Sequence, residues 1–370
     1  MQIPLLNAIA DHPTPPRFLK FRGSTIDWTS WESFWQACAR AENLTLEDLW
    51  HPPEDTPPAI DPRCEIGTLD FSTVKRLILS YLDVPVATQL ALVARCTQLE
   101  CLKWDPDLDW ILSPTSSPAF KLADLVPTGC WRHIKKLHWN TEDANIEDED
   151  LATILDSINV AYDGSSMAGV GGGAQLQELM LTPQGFGRRS MQALERHFST
   201  LTHFRVHSSF QPSPSPHFVS EATQRILVSC PNLVVFHGSL FWSRDLFEEE
   251  FARPWACAAR LKAITLRIAI DATTEEQRVL HNRAMLAQLG KMTSLETLNL
   301  SAPNIEALPE SPNVRELSLR LEHGLDSLRG LCKLVAVDFI DANDFDREER
   351  EWVAVYFEGV EYTWARHAMY

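Results

Sequence analysis

The chain has 370 residues, of which 45% are apolar and 22% are charged, a composition typical of a folded globular protein. Fifty Asp and Glu residues face 33 Lys and Arg residues, so the formal charge is −17. This balance argues against a nucleic-acid partner, because nucleic-acid affinity comes largely from basic side chains. No apolar run approaches the roughly 20 residues of a membrane-spanning helix, so we also expect no membrane partner.

The N-terminus and the cysteines indicate a compartment. The first residues have no basic segment, and Pro4 and Asn7 interrupt the apolar stretch that a secretory signal would need. Cys96 and Cys101 are the closest pair among eight cysteines, and no second pair accompanies them as a zinc site requires. Free thiols are typical of a reducing compartment, so we predict a cytoplasmic or nuclear protein without metal or cofactor.

The first 40 residues are predicted to form an N-terminal capping segment. Trp31, Phe34, Trp35 and Cys38 follow the i, i+3, i+4, i+7 pattern of one helical face. Ahead of them, PRFLKF from Pro16 is an imperfect first copy of the phrase that recurs along the rest of the chain.

That phrase is six residues long, and its first, fourth and sixth positions are apolar. Its two-residue alternation predicts a short strand with one buried face. The copies are AENLTL from Ala41, VKRLIL from Val74, LECLKW from Leu99, IKKLHW from Ile134, LQELML from Leu176, LTHFRV from Leu201, LVVFHG from Leu233, LKAITL from Leu261, LETLNL from Leu295, VRELSL from Val314 and LVAVDF from Leu334. They start 19 to 42 residues apart, too far for hairpins, so we expect parallel pairing. Residues 41–340 are therefore predicted to form an α/β leucine-rich-repeat solenoid, a horseshoe with a parallel concave sheet and an irregular helical convex side.

A second regularity occurs in the same register. Three residues before most phrases stands a small or apolar residue that we expect in the core: Cys38, Phe71, Cys96, Trp131, Phe198, Cys230, Ala258, Met292 and Leu331. Amphipathic helices are predicted before several phrases, through Leu151, Ile154, Leu155 and Ile158, through Ile226, Leu227 and Cys230, and through Met285, Leu286 and Leu289, with Gly290 ending the last of them.

Insertions are predicted near residues 105–130, 141–175 and 208–220. The second contains three consecutive glycines, but no Gly-Lys-Ser/Thr follows, so a flexible linker is favoured over a phosphate-binding loop. A C-terminal cap is predicted over 341–370, with a helix Asp346–Phe357 that turns Trp352, Val353 and Tyr356 inward and its acidic residues outward.

The tryptophans are the oddest feature of the composition, at 12 against 5 Tyr. At least five of them fall on predicted core positions, namely Trp31, Trp35, Trp104, Trp131 and Trp139. We therefore interpret them as core filling and not as a ligand cage.

Partner-binding residues are predicted on the concave face, at the outward positions of the phrases. They are Lys103, Asp105, Lys136, His138, Asn140, His203, Arg205, His207, Arg267, Asn299 and Arg320. A metal site at His203 and His207 is disfavoured because the charge of Arg205 would stand between them. No strand–turn–helix nucleophile elbow occurs, so no catalytic residue is predicted and we expect the chain not to be an enzyme.

The segments CTQLECLKW from Cys96 and CPNLVVFHG from Cys230 resemble the Cys-x-x-Leu-x-x-Leu-x-Leu core of cysteine-type leucine-rich repeats. Residues 16–364 as a whole look like the irregular repeat region of fungal F-box-type proteins. The resemblance implies a substrate-recognition protein that holds a target on its concave face for an SCF-type ubiquitin ligase. No F-box module is found before the repeats, so a Skp-type adaptor is an expected partner only if one lies upstream. The alternative is a stand-alone binding scaffold without a ligase role.

Overall fold

The computed structural model describes residues 3–50, 66–105, 122–139, 147–158, 176–181, 186–206, 216–247, 253–301, 314–339 and 345–362, which form an α/β fold of parallel strands and helices. The strands are β1 Phe18–Thr25, β2 Asn43–Trp50, β3 Arg76–Leu82, β4 Cys101–Asp105, β5 Lys136–Trp139, β6 Glu178–Leu181, β7 His203–Val206, β8 Val235–Trp242, β9 Ala263–Asp271, β10 Thr297–Ser301, β11 Val314–Glu316, β12 Ala336–Phe339 and β13 Glu361–Tyr362. The helices are α1 Ile3–Asp11, α2 Trp31–Cys38, α3 Val86–Arg95, α4 Asp148–Ser157, α5 Arg188–Leu194, α6 Pro216–Ser229, α7 Glu275–Leu289 and α8 Arg347–Tyr356.

The chain divides into two compact units, Met1–His197 and Phe198–Tyr370. In the first unit, β1 to β6 pair in parallel and in chain order. The register follows the recurring phrase, since Leu44, Leu77, Leu102, Leu137 and Leu179 stand opposite one another and are at most 1% exposed. The predicted parallel pairing is confirmed here, and it includes the imperfect phrase from Pro16, which contributes β1.

In the second unit, β7 to β10, then β12 and β13, also pair in parallel. The phrase from Val314 departs from the prediction. It forms only the short strand β11, which runs antiparallel along the end of β9, with Val314 opposite Asp271. Strand β12 takes the place beside β10 instead. Ala269 and Val314 pack with Trp242 in a small buried cluster, so burial of Val314 against β9 outweighs the parallel register.

The two ends of the chain contribute strands to the parallel pairing. Strand β1 lies within the segment 1–40 that was predicted to cap the fold, and β13 lies within 341–370. The C-terminal helix α8 begins one residue later than predicted, after Asp346, whose side chain accepts a hydrogen bond from the Glu349 amide at 2.9 Å. Its predicted orientation is wrong at two positions: Tyr356 is 49% exposed, whereas the acidic Glu349 is buried at 3%.

The predicted core positions are largely confirmed. The predicted faces of α2, α4, α6 and α7 are buried, and so are the positions three residues before the phrases, except the half-buried Ala258, whose neighbour Cys257 is buried instead. Trp31, Trp35, Trp104, Trp131 and Trp139 are all at most 3% exposed. The indoles of Trp104 and Trp139 lie side by side on adjacent strands, with ring centres 5.7 Å apart. These large rings therefore fill the core in place of leucine.

A bend crosses the first three strands at the same level. Gly23, Asp48 and Tyr81 stand opposite one another, and their φ angles are +56°, +51° and +50°. Beyond the bend the inside–outside alternation shifts by one residue, so that Leu49 and Leu82 are buried. Gly23 adopts this left-handed backbone freely, whereas a bulky residue such as Tyr81 is strained in it.

Candidate functional site

The outward faces of the parallel strands are the candidate binding surfaces, and each unit has its own. In the first unit, one row across the strands consists of Lys20, Thr45, Ile78, Lys103, His138 and Met180. The row before it contains Phe18, Asn43, Arg76, Cys101, Lys136 and Glu178. We call these two rows the unit 1 face.

Part of the charge on the unit 1 face is neutralised by ion pairs within the face or with Glu47 beside it. Lys136 Nζ lies 2.5 Å from Glu178 Oε1, and His138 Nε2 lies 3.2 Å from Glu178 Oε2. At the other edge, Lys20 Nζ lies 2.8 Å from Glu47 Oε2, and this lysine holds the pKa of Glu47 below its usual value. Burial lowers the pKa of His138, and the nearby Glu178 only partly offsets that effect. His138 is therefore a neutral hydrogen-bonding group at neutral pH.

Two cations in the middle of the unit 1 face remain unpaired within the part of the chain that the structure describes. Arg76 on β3 and Lys103 on β4 are both exposed. Arg76 pairs in register with Cys101, and Ile78 pairs with Lys103. These four residues form a rectangle on the two strands. The two cations lie at opposite corners of it, and Ile78 and Cys101 lie at the other two corners. The structure thus exposes two basic side chains beside two half-buried, less polar ones.

Arg76 was not among the predicted site residues, although it occupies the third position of its phrase, as Lys136 does. The alternation that predicted Lys103 and Lys136 also places Arg76 outward, so the sequence carried the signal. What it could not supply was the pairing of Lys136 with Glu178, because those residues are 42 positions apart along the chain.

The second unit has an outward row of different chemistry. Across the strands it consists of Arg205, His237, Thr265, Asn299 and Asp338. Asn299 Nδ2 donates to Asp338 Oδ2 at 3.2 Å, and burial raises the pKa of the Asp338 carboxyl. Neighbouring outward positions hold His203, whose Nδ1 lies 2.9 Å from Thr202 Oγ1, and Arg267.

The structure places most of the predicted site residues on these two faces. Lys103, Asp105, Lys136 and His138 lie on outward positions in unit 1, and His203, Arg205, Arg267 and Asn299 do so in unit 2. Asn140 and His207 lie outside the described residues. Most of the three predicted insertions also lies outside them.

Arg320 was predicted on the outward face, and this is wrong. Strand β11 ends at Glu316, and Arg320 lies beyond it, where its Nη1 donates to Glu349 Oε2 of α8 at 2.6 Å. The carboxylate of Glu349 is buried, so Arg320 serves as its counter-ion. Arg320 therefore lies beyond the strand in an intramolecular ion pair, and not at an outward strand position.

A polar cluster that was not predicted from the sequence joins the ends of β8 and β9 to α7. Ser243 Oγ lies 2.8 Å from His281 Nδ1 and accepts a hydrogen bond from the Asp271 amide at 3.1 Å. The Asp271 carboxylate in turn accepts from Arg244 Nη1 at 3.2 Å. Ser243 is completely buried, so its hydroxyl lacks the access that a nucleophile needs. The cluster satisfies buried polar groups at the ends of β8 and β9.

The cysteine thiols of the described core are poorly suited to nucleophilic chemistry. Burial raises the pKa of Cys96 and Cys230 far above the usual value, that of Cys257 to about 12 and that of Cys130 to about 11. The described residues contain no group of three or more His, Cys, Asp or Glu side chains that could hold a metal ion. Within the same ranges, no helix has both the length and the apolar character needed to cross a membrane.

Comparison of the sequence with protein-family models gives no match, and comparison with curated proteins gives none either.

Proposed function

We propose that this chain is a protein-interaction module whose two units of parallel strands are leucine-rich repeats and whose outward strand faces bind a target protein. The proposal rests on one observation about the unit 1 face. Arg76 and Lys103 are exposed on the outward side of β3 and β4, whereas the other side of these strands is buried. Repeat proteins use such open sheet surfaces for partners.

Site-specific photo-crosslinking in the native cells tests this proposal. A photoreactive residue replaces Thr45 or Thr265 on the outward faces, or Ala87 on α3 or Leu280 on α7 as controls on exposed helix positions. The proposal expects a target to be captured from an outward position of at least one unit and not from the helices. Capture from Ala87 or Leu280 alone would contradict it.

We further propose that the module selects targets for an SCF-type ubiquitin ligase. The support is the resemblance of the phrases at Cys96 and Cys230 to the cysteine-type repeats of F-box proteins. Both cysteines are fully buried, and Cys96 Sγ donates to the Leu92 carbonyl at 3.2 Å, so the cysteine acts as a small core residue, as that repeat type requires.

The ligase role and the stand-alone scaffold differ in one partner, the Skp-type adaptor. Affinity purification of the complete gene product from its own cells is expected to recover the adaptor together with a cullin. A preparation that contains the photo-crosslinked target but never the adaptor would support the scaffold and remove the ligase role.

A further inference from the structure

The unpaired cations of the unit 1 face indicate the chemistry of the partner. We infer that this face binds a short acidic segment of the target protein in extended conformation, with two carboxylates at positions i and i+2 paired to Arg76 and Lys103. The inference rests on the proposed interaction function and names the partner's recognition element.

The spacing of the two cations fits such a segment. Adjacent strands lie about 4.8 Å apart and residues i and i+2 of a strand about 6.6 Å apart, so the diagonal from Arg76 to Lys103 is roughly 8 Å between α-carbons. Two acidic side chains at i and i+2 of an extended peptide project from one face about 6.6 Å apart. The flexible stems of Arg and Lys can span the difference. Adjacent acidic residues would point to opposite faces and could engage only one cation.

The surroundings of Arg76 and Lys103 favour direct contact between these cations and the carboxylates of the bound segment. Ile78 and Cys101 occupy the other diagonal, and both are half-buried. Burial raises the pKa of the Cys101 thiol, so this residue stays uncharged and neutralises neither cation. A carboxylate that docks here covers part of an apolar floor, which strengthens its attraction to the cations compared with open water.

The acidic residues around the pair limit the size of the ligand. Glu47 lies on one side, Asp105 follows Lys103 on β4, and Glu178 lies on the other side. A long polyanion such as nucleic acid or an anionic membrane would meet these carboxylates and the overall charge of −17. A segment with only two carboxylates avoids them, so the charges favour a protein ligand over a polyanion.

The test uses fluorescence anisotropy on the full chain with two labelled octapeptides. One is Gly-Ser-Ser-Glu-Thr-Glu-Ser-Gly, and the control Gly-Ser-Thr-Glu-Glu-Ser-Ser-Gly has the same charge with adjacent glutamates. We expect weak binding of the first peptide that declines with added salt, and several-fold weaker binding of the control. The Arg76→Gln/Lys103→Gln variant is expected to reduce the affinity for the first peptide about tenfold, since two ion pairs are lost.

Two further variants distinguish loss of the binding site from a change in total charge and from a folding defect. Arg329→Gln/Lys333→Gln removes the same charge from exposed positions in the other unit, away from the outward faces, and should change the affinity less than twofold. Arg76→Lys/Lys103→Arg keeps both charges and should retain most of the binding, which excludes a folding defect as the cause of a loss.

Several results would overturn the inference. Equal affinity for both peptides would show that the ligand does not recognise the spacing of Arg76 and Lys103. An equal loss of affinity in the two charge-removing variants would show that these two residues are not the binding site. If heparin or phosphatidylserine vesicles bound more tightly than the first peptide, and this binding depended on Arg76 and Lys103, the site would be assigned to a polyanion instead. None of these outcomes touches the proposed function if Thr45 or Thr265 still crosslinks a target, whereas failure of every outward crosslink would remove the function itself.

Discussion

The start of helix α5 offers a test of how distant segments hold each other in the first unit. Asp148, the first residue of α4, accepts hydrogen bonds from the backbone amides of Gly187 at 3.0 Å, Arg189 at 2.9 Å and Ser190 at 2.8 Å. Amides at a helix start have no carbonyl partner within the helix. Besides Asp148, the Gly187 amide also donates to Ser190 Oγ of α5 at 2.9 Å. A carboxylate from another helix thus caps α5 from about 40 positions away.

We predict that Asp148→Ala destabilises the first unit by about 2 kcal/mol. A capping side chain contributes about 1 kcal/mol and charged hydrogen bonds more, but Asp148 is partly exposed and water can replace some of its contacts. Asp148→Asn keeps one acceptor oxygen and loses the charge, so its effect should be intermediate.

A double-mutant cycle makes the prediction specific. A Cβ on Gly187 would stand 2.5 Å from Asp148 Cγ, so Gly187→Ala must displace the capping carboxylate. Its backbone is extended, with φ −131°, which alanine adopts without strain. We therefore expect Gly187→Ala to cost about as much as Asp148→Ala alone and almost nothing in the Asp148→Ala background.

Hydrogen exchange of the Met191 amide provides the assay, because this amide bonds to the Gly187 carbonyl at 3.0 Å in the first turn of α5. A loss of about 2 kcal/mol corresponds to roughly 30-fold faster exchange. The amide hydrogen bonds lower the pKa of Asp148, so the stabilisation is complete above its unfolded pKa near 4 and disappears as the pH falls through the lower folded value. Additive effects of the two substitutions would refute the proposed cap.

Three further predictions concern other parts of the chain. Gly23→Ala should destabilise by about 1 kcal/mol in urea unfolding, because φ is +56° and the new Cβ meets no atom within 4 Å; Gly330→Ala, at an exposed position without positive φ, should be close to neutral, and equal effects would contradict the backbone explanation. Arg320→Ala should cost about 3 kcal/mol in thermal unfolding, since it leaves the buried Glu349 without its counter-ion, whereas Arg347→Ala, which removes an exposed pair with Glu351, should cost less than about 0.5 kcal/mol. Burial lowers the pKa of His281, so its unfolded state binds more protons and stability should fall as the pH drops from 7 to 5; His281→Gln should flatten this dependence in urea titrations, and an unchanged slope would show that another group is responsible.

Most of the strands could be predicted from local pattern, for a physical reason. A phrase such as LECLKW buries alternate side chains, and this alternation repeats whenever a strand packs one face on a core. The same regularity located Cys96, Trp104 and Trp131 in the core, where they are at most 3% exposed. It also placed Lys103 and Lys136 on the outward face.

The errors occur where a contact between distant residues overrides the pattern. The phrase from Val314 has the same alternation as the others, yet β11 pairs antiparallel with β9 because Val314 packs against Ala269 and Trp242. Arg320 and Tyr356 were misplaced for related reasons: Glu349 supplies a buried charge that needs Arg320, and no local pattern shows which side of α8 is covered.

The bend through Gly23, Asp48 and Tyr81 shows what residue type predicts locally and what only the pairing of strands decides. Gly and Asp tolerate a positive φ, so two of its three positions carry a local signal, but tyrosine carries none. Only the register of three strands brings these residues to one level and makes a bulky residue adopt the strained conformation.

The sequence by itself determined most of the buried positions along the strands and the parallel pairing of the phrases other than the one from Val314, because burial periodicity and chain spacing are local properties. Tertiary structure alone decided which charges are neutralised. Lys136 pairs with Glu178 and Lys20 with Glu47, which leaves Arg76 and Lys103 as exposed cations without an ion pair among the described residues. Ion pairing depends on a few ångströms between groups that are far apart along the chain, and a linear pattern does not contain that distance.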